Sequence, residues 1–424
     1  MEPMLPAQQA ESVILGLVRS LAHTSKSSLD SQQNIETVDL LSANGRILAA
    51  PVSSALDFPH WDNSAMDGYA VRYEDVQDCG DRPTTLEIIE EIPAGYLPQK
   101  TVQAGQAARI LTGSMMPDGA DTIVIQEETQ REGNSVTILS APKPQAFVRH
   151  RAEFYKAGNP LLQSGTVLAA TDIAVLAAAQ CVKVSVYRRL RVAILSTGSE
   201  LVAPEQPLQP GQIVDSNQYA LAALVASAGA EPILLGIVPD QPDELRQAMA
   251  IALRSADMVL SSGGVSVGDY DYVDQILAEL GAEIHIRAVA VKPGKPLTVA
   301  TFQNSNSEIP VLYFGLPGNP VSALVTFWRF VLPAIKKMSG RSTGWEPMFV
   351  KGRSLQDLRS DGKRETYLWG QISLIDGEYQ FQLARGSNSS GNLINLAQTN
   401  GLAMIPVGET AIAAGSWISI LQVG

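Results

Sequence analysis

The sequence predicts a multidomain protein of mixed α/β and β class, and three observations carry that expectation. Its 424 residues allow roughly three domains, or more if some are small. From about Arg191 to Met338, apolar runs of strand length alternate with helix-period stretches, the pattern of a mainly parallel sheet with helices on both faces, a three-layer α/β domain. The regions on either side, from about Pro51 to Phe147 and from Gly344 onward, read as short strands and turns.

Helical segments near Glu11–Ala22 and Asp172–Ala179 frame the first β-rich piece and are read together as one discontinuous helical and extended domain. The α/β region opens with the strand Arg191–Leu195, followed by Ser196-Thr197-Gly198-Ser199-Glu200. Tyr219–Ala228 suits a helix behind the capping candidates Asp215, Ser216 and Asn217. Pro232–Val238 is the next strand and runs into Pro239-Asp240; Glu244–Arg254 then sets Leu245, Ala248, Met249 and Ala252 on one helical face. The strand Asp257–Leu260 enters a Ser/Gly tract, Ser261–Asp271, and a helix aligning Val273, Ile276, Leu277 and Leu280 follows. An extended segment, Ile284–Val291, meets Lys292-Pro293-Gly294-Lys295-Pro296. Val311–Phe314 leads into Gly315-Leu316-Pro317-Gly318-Asn319-Pro320, where Asn319 is a natural N-cap and Pro320 suits a first helical turn. Beyond it, Asp376-Gly377 marks a hairpin between Ile372 and Phe381, and a small β-barrel or sandwich fits the C-terminal part.

Composition narrows the function. The 31 Lys+Arg against 43 Asp+Glu give a net charge of −12, which disfavours nucleic acid and anionic membrane as partners, although a few lysines in a cleft still suit a small anion. Two distant cysteines, Cys79 and Cys181, make neither a disulfide framework nor a thiolate metal site, so a reducing, cytoplasmic setting is expected. No signal pattern opens the chain and no apolar run reaches membrane-spanning length. The scattered His23, His60, His150 and His285 argue against a Ser/His type of nucleophilic catalysis.

Chemistry concentrates in the loops after strands, where open sheets bind ligands. Ser262, Gly263, Gly264, Ser266 and Gly268 offer small side chains and backbone N–H groups to an anion. Glu200, Asp240 and Asp271 each stand at a strand end. Asp240 and Asp271 also fit ordinary helix N-caps, but three acids gathered together repel one another unless a cation is present. Oxygen ligands without a Cys/His set favour Mg²⁺ over Zn²⁺. Lys292 and Lys295 flank a stiff Pro-Gly turn suited to an oxyanion. Asp67, in Asn63-Ser64-Ala65-Met66-Asp67-Gly68-Tyr69-Ala70, is either a simple turn residue or a polar rim facing a ligand; Thr112-Gly113-Ser114 presents the same choice. Arg364 and the stretch Arg385–Ser390 make a basic, hydroxyl-rich set that a solvated face explains equally well.

These motifs, in this order, resemble the molybdopterin molybdenumtransferase family, the bacterial MoeA enzymes whose eukaryotic relatives include the gephyrin E domain. The resemblance runs through Leu111-Thr112-Gly113, Ser196–Leu201, Ser261–Asp271, Lys292–Pro296 and Leu316–Ser322 as well as the Asp67 motif, and so spans almost the whole chain. It implies four domains: 1–51 with 148–187 as a discontinuous linker and dimerisation domain, 52–147 as the β-rich domain, 188–338 as a molybdopterin-binding α/β domain, and 339–424 as a C-terminal β-barrel. It implies insertion of molybdate into the dithiolene of adenylylated molybdopterin, releasing AMP and molybdenum cofactor. The implied homodimer has a cleft to which both subunits contribute. Carried over by motif, Asp67 and Thr112 face that cleft from the partner subunit. Glu200, Asp240 and Asp271 organise Mg²⁺, substrate and water, while Lys292 and Lys295 hold molybdate or phosphate. Thr197, Gly198, Ser262, Gly263, Gly264, Ser266, Gly268, Pro317, Gly318, Asn319, Arg364 and Ser387 contact the cofactor, with Asp269 in a supporting role. Molybdopterin adenylyltransferase and apo-molybdoenzymes are further candidate partners.

Other readings compete. An adenylyltransferase resembles the sheet domain alone, which leaves about 190 residues before it and 80 after it without a role. A non-catalytic scaffold like gephyrin would not need Asp67, Glu200, Asp271 and Lys295 together. A pyridine-nucleotide hydrolase reusing the sheet fold is disfavoured by the two β-rich flanks.

Overall fold

The computed structural model describes residues 4–23, 33–80, 82–263, 272–303 and 309–424. The chain forms two compact units, one of Met1–Ala50, Ser164–Ile173 and Lys183–Gly424, the other of Pro51–Gln163 and Ala174–Val182.

The first unit is built on β1 (Arg191–Thr197), α1 (Asn217–Ser227), β2 (Glu231–Val238), α2 (Pro242–Ser255), β3 (Met258–Ser262), α3 (Tyr272–Glu279), β4 (Glu283–Ala288), β5 (Pro296–Phe302), β6 (Val311–Leu316) and α4 (Pro320–Thr326). The sheet order is β2-β1-β3-β6-β5-β4. Neighbours among β2, β1, β3 and β6 are parallel, while β5 and β4 extend the sheet antiparallel. Every residue of β3 and β6 is buried, as strands covered on both faces require. Alternation sends Val192, Ile194, Leu260 and Phe314 to a core with Leu221 and Val225 of α1 and Val321 and Val325 of α4. It sends Ala193, Leu195, Val259 and Tyr313 to a second core with Leu245 and Met249 of α2 and Ile276 and Leu277 of α3. The helices thus cover both faces, as the sequence predicts. The antiparallel edge was not legible there, because β5 begins directly behind the Lys292–Pro296 loop.

After α4 the backbone widens into a π turn, Phe327–Val331, and resumes as α5 (Leu332–Met338). Pro333 explains the widening, since it lacks an N–H for the Arg329 carbonyl and its ring crowds that position. The turn carries Arg329, buried at 4% exposure. Its Nη1 lies 2.7 Å from Glu11 Oε2 of the helix Ala7–Leu17, close in distance but poorly aligned as a hydrogen bond. Its Nε donates to the Tyr367 hydroxyl at 2.9 Å, and that hydroxyl donates to Glu365 Oε1 at 2.6 Å.

Tyr367 belongs to a closed five-stranded barrel made of β7 (Phe349–Ser354), β8 (Glu365–Ile375), β9 (Glu378–Leu383), β10 (Gly401–Ile405) and β11 (Trp417–Gln422). The ring runs β8-β9-β7-β11-β10 and back to β8. Asp376 and Gly377 turn β8 into β9 with φ of 50° and 81°, the left-handed pair of a two-residue hairpin. A two-residue strand, Val291–Lys292, pairs parallel with Glu365–Thr366 and fastens the lysine loop to the barrel.

The second unit contains a six-stranded sheet in the order Thr122–Ile125, Gly68–Val71, Gln106–Ile110, Thr84–Ile92, Ser135–Ile138, Thr129–Glu132. Tyr69, Val71, Ala107 and Val124 face one core, and Ala70, Ala108 and Ile123 the other. Among the described residues no helix is long and apolar enough to cross a membrane.

Replacing Arg329 by leucine leaves Glu11 and Glu365 without their shared cation. We expect a loss of about 3–5 kcal/mol, the usual consequence of deleting one partner of a buried ion network. Urea unfolding followed by tryptophan fluorescence measures it, and a loss under 1 kcal/mol contradicts the assignment.

Candidate active site

The parallel strands end in register: Ser196 of β1 aligns with Ser262 of β3, Ser262 with Leu316 of β6, and Thr197 with Val238 of β2. Their four following loops therefore open at one level, around a cavity of about 710 Å³, within the range of small-ligand sites. Thr197, Gly198, Glu200, Asp240, Ser262, Gly263, Pro317, Gly318 and Asn319 all line it. The structure thus gathers these sequence-predicted residues on one cavity. Gly264, Ser266, Gly268, Asp269 and Asp271 lie outside the described residues.

Two glycines make the convergence possible. Gly263 has φ +93°, and a Cβ there would stand 2.3 Å from the Thr197 carbonyl oxygen; its N–H donates to the Leu316 carbonyl at 3.2 Å. Gly198 has φ +154°, with the Glu200 carboxylate folded across it, 2.8 Å from where a Cβ would be. Any larger residue would displace either a neighbouring backbone or that carboxylate.

The cavity wall carries buried polar atoms that have no hydrogen-bond partner among the described residues: Ser196 Oγ, Thr197 Oγ1 and Asn217 Oδ1. Asn217 opens α1 and is itself buried. Its amide nitrogen donates to Ser262 Oγ at 2.6 Å and to the Gly318 carbonyl at 2.8 Å, which fixes the side chain and leaves the oxygen open. Orphaned buried polar atoms are uncommon and point to a missing ligand or water. Sequence reading had Asn217 only as a capping candidate; its burial was invisible there.

Asp240 does not cap α2. That helix starts at Pro242 with Gln241 in the cap position, so the carboxylate stays exposed on the cavity rim, while its N–H donates to Ser199 Oγ at 3.4 Å. Asn319 occupies the cap position of α4 but makes no side-chain cap bond. Asp215, also lining the cavity, is committed elsewhere: it accepts from the Gln218 backbone and side chain, both at 3.2 Å. Glu200 and Asp240 are hard oxygen donors facing the same space. Such a pair fits Mg²⁺, which is often held by one or two carboxylates plus substrate phosphates. Among the described residues no group of three His, Cys, Asp or Glu side chains is set to hold a metal by itself.

The basic residues lie apart from this lining. Lys292 Nζ donates to Asp361 Oδ2 at 2.9 Å, and Arg364 donates to the Val291 carbonyl at 3.1 Å. Lys295 is half-buried with no ion-pair partner among the described residues. Gly294 packs this loop on α4, where a Cβ would sit 2.6 Å from Thr326 Oγ1. Ser387 is exposed, and its carbonyl accepts from Asn392 and Asn395; from the same loop, Gly391 and Leu393 do reach the cavity.

In the second unit, Asp67 Oδ1 accepts from the Thr112 N–H and from Thr112 Oγ1, both at 2.7 Å. Sequence reading placed these two residues side by side in function, and the fold places them side by side in space. The Thr112 hydroxyl, then its N–H, hold the Asp67 carboxyl below the usual carboxylate range, so it is ionised at neutral pH. Gly68 is required next to it, because a Cβ would stand 2.0 Å from the Val124 carbonyl oxygen.

Comparison with known proteins follows the same layout. Residues 5–179 match the family model described as MoeA N-terminal region (domain I and II). Residues 193–337 match the probable molybdopterin binding domain, and residues 351–423 the MoeA C-terminal region (domain IV). The chain is 61% identical over 421 residues to a molybdopterin molybdenumtransferase of Nostoc sp., covering 99% of this chain and 94% of that protein. It is 39% identical to one of Haemophilus influenzae, covering 76% and 78%. The crystal structure of the molybdopterin biosynthesis moeA protein from Pyrococcus horikoshii OT3 superposes with a TM-score of 0.82 at 29% identity, over 99% of this chain and 100% of that one.

Asp361 was not among the sequence-predicted residues, yet it holds Lys292. The Lys292 hydrogen bond, with the Lys363 N–H second, keeps the Asp361 carboxyl below its usual range. The pair therefore persists at neutral pH and is lost as pH falls through that depressed titration. Asp361→Asn frees the lysine, and affinity for a dianion such as sulfate should rise roughly two- to fivefold at pH 7, the scale of an exposed pair. Calorimetric titration measures it. The difference from wild type should close on acidification; equal affinities at pH 7 would show that Asp361 does not restrain Lys292.

Proposed function

The chain belongs to the molybdopterin molybdenumtransferase (MoeA) family, and from that premise we propose how its cavity performs the reaction. It is an enzyme of molybdenum cofactor biosynthesis. In our reading the substrates are adenylylated molybdopterin and molybdate, and the products are AMP and molybdenum cofactor. The observation that supports this most is the set of polar atoms left without partners among the described residues, Ser196 Oγ, Thr197 Oγ1 and Asn217 Oδ1, at the in-register strand ends, beside the carboxylates of Glu200 and Asp240.

Cleaving a phosphate–phosphate link in an anionic substrate requires positioning and charge neutralisation more than a protein nucleophile. The residues match that demand. Thr197, Ser262 and Asn217 bind and orient the substrate, and the Gly263 and Gly318 turns let its phosphates approach the backbone. Glu200 and Asp240, joined by Asp271 as the family resemblance implies, would hold Mg²⁺. When bound, Mg²⁺ supplies neutralisation of phosphate charge. Lys292 and Lys295 neutralise molybdate, and Arg364 steadies the Val291–Lys292 strand that carries the first of them. Asp67, ionised and held by Thr112, would enter the cleft from the other subunit of the proposed homodimer and orient a proton donor of the substrate or water. The four-domain division, a homodimer and a cytoplasmic setting complete the reading; the free Cys79 and Cys181 are compatible with the last.

Incubating the protein with adenylylated molybdopterin, molybdate and Mg²⁺ should release AMP stoichiometrically. Absence of AMP, or consumption of ATP, would favour the adenylyltransferase reading. Activity should vanish after rigorous Mg²⁺ removal. Lys295→Ala should raise the molybdate concentration for half-maximal turnover by roughly ten- to a hundredfold, equivalent to the ~1.5–3 kcal/mol of a charge-assisted contact, with the melting temperature unchanged. An unaltered molybdate dependence would remove Lys295 from the site.

A further inference from the structure

Beyond the end of α5, in the first unit, a separate cavity of about 240 Å³ is lined by Ser20, Ser164, Lys337, Arg341, Ser342 and Trp345, among others. Close backbone approaches build it. Gly165, at φ +80°, would place a Cβ 2.7 Å from Ser342 Cβ, and Gly340, at φ +98°, would place one 2.5 Å from the Tyr187 ring. Larger residues at either position would break up this wall.

The charges around the cavity do not balance. Among the described residues no acidic side chain lines it. Among the described residues Arg341 Nε is buried without a hydrogen-bond partner, and no carboxylate pairs with Arg341. Burial pushes Arg341 below its usual range, and burial together with Arg341 does the same to Lys336. Lys337 Nζ donates to the Leu15 carbonyl at 2.7 Å and lies 5.8 Å from the Trp345 ring centroid. The carboxyl end of α5 accounts for lysines in its last turn through the helix dipole. It does not account for an unpartnered guanidinium nitrogen. A guanidinium does not lose its proton in proteins, so a half-buried one without a counter-charge is unfavourable until an anion joins it.

We propose that this cavity is a second anion site, which takes one small tetrahedral oxyanion of the phosphate type on Arg341. The Ser20 hydroxyl already accepts from the Ala22 N–H at 3.2 Å, which leaves its proton for the anion. The volume holds such an ion with a few waters, since each water occupies about 30 Å³. None of the cavity's lining residues belongs to the active-site cavity, so the proposal does not depend on the function assigned there.

Equilibrium dialysis of the full-length protein against inorganic phosphate, at constant ionic strength in chloride, tests it. The variant Lys292→Ala/Lys295→Ala, which lacks the lysines of the active-site loop, should still bind one phosphate per chain. Adding Arg341→Met should weaken that binding at least tenfold. Absence of saturable phosphate binding in the double-lysine variant overturns the proposal whether or not the Arg341 variant folds, and so does binding unchanged by Arg341→Met. If only the active-site assignment is wrong, the lysine changes leave phosphate binding untouched while Arg341→Met still removes it.

Discussion

The alignment of three parallel strand ends is the constraint on which the candidate active site rests. Ser196, Ser262 and Leu316 lie at one level, so the loops that follow emerge together instead of staggered along the sheet. A shift of one residue in β3 would point its alternating side chains to the opposite faces. Ser262 would then leave the cavity, and Val259 and Leu260 would exchange cores. Register and core packing are thus one condition, and the continuous apolar strands enforce both. The glycine at 263 follows from the same condition, since loops emerging level must pass within contact distance of each other.

A second dependence links the barrel to the lysine loop. Lys292 sits on a strand that owes its pairing to β8, and the carboxylate holding its Nζ comes from the turn before β8. The barrel in turn is anchored through Tyr367 and Glu365 to Arg329, and so to Glu11 near the start of the chain. Segments more than 350 residues apart by the numbering of Glu11 and Glu365 therefore share one buried cation. Its retention over an apolar packing is reasonable where orientation matters, because an ion network with several fixed acceptors tolerates fewer arrangements than a hydrophobic contact.

Much of this was legible in the sequence, for local reasons. Continuous apolar runs gave β1, β3 and β6 their places, and Asp376-Gly377 gave the hairpin, because strand burial and turn geometry act through neighbouring residues. The loops carrying Thr197, Ser262 and Pro317 followed from their position after strands. What sequence did not reveal depends on distant partners. Asp361 gains its role only when the barrel meets the Val291–Lys292 strand, and Asn217 only when Ser262 and Gly318 close over it. Asp240 looked like a helix cap because a carboxylate just before a helix commonly is one; the proline at 242 instead puts Gln241 in that position.

The free cavity is also informative about which ligand it can accept. Each buried polar group without a partner is unfavourable by about 1–3 kcal/mol, and three such atoms share this wall. A ligand whose donors and acceptors meet them removes that penalty, whereas an apolar ligand of equal size would leave it in place and exclude water as well. Discrimination is therefore greatest against molecules that match the volume but lack the polar pattern. The amide of Asn217 sharpens this further. Its nitrogen is tied to Ser262 and to Gly318, so the side chain cannot flip to offer a donor, and its oxygen can only accept. A ligand must bring an N–H or O–H to that point. An all-acceptor anion alone does not satisfy that oxygen.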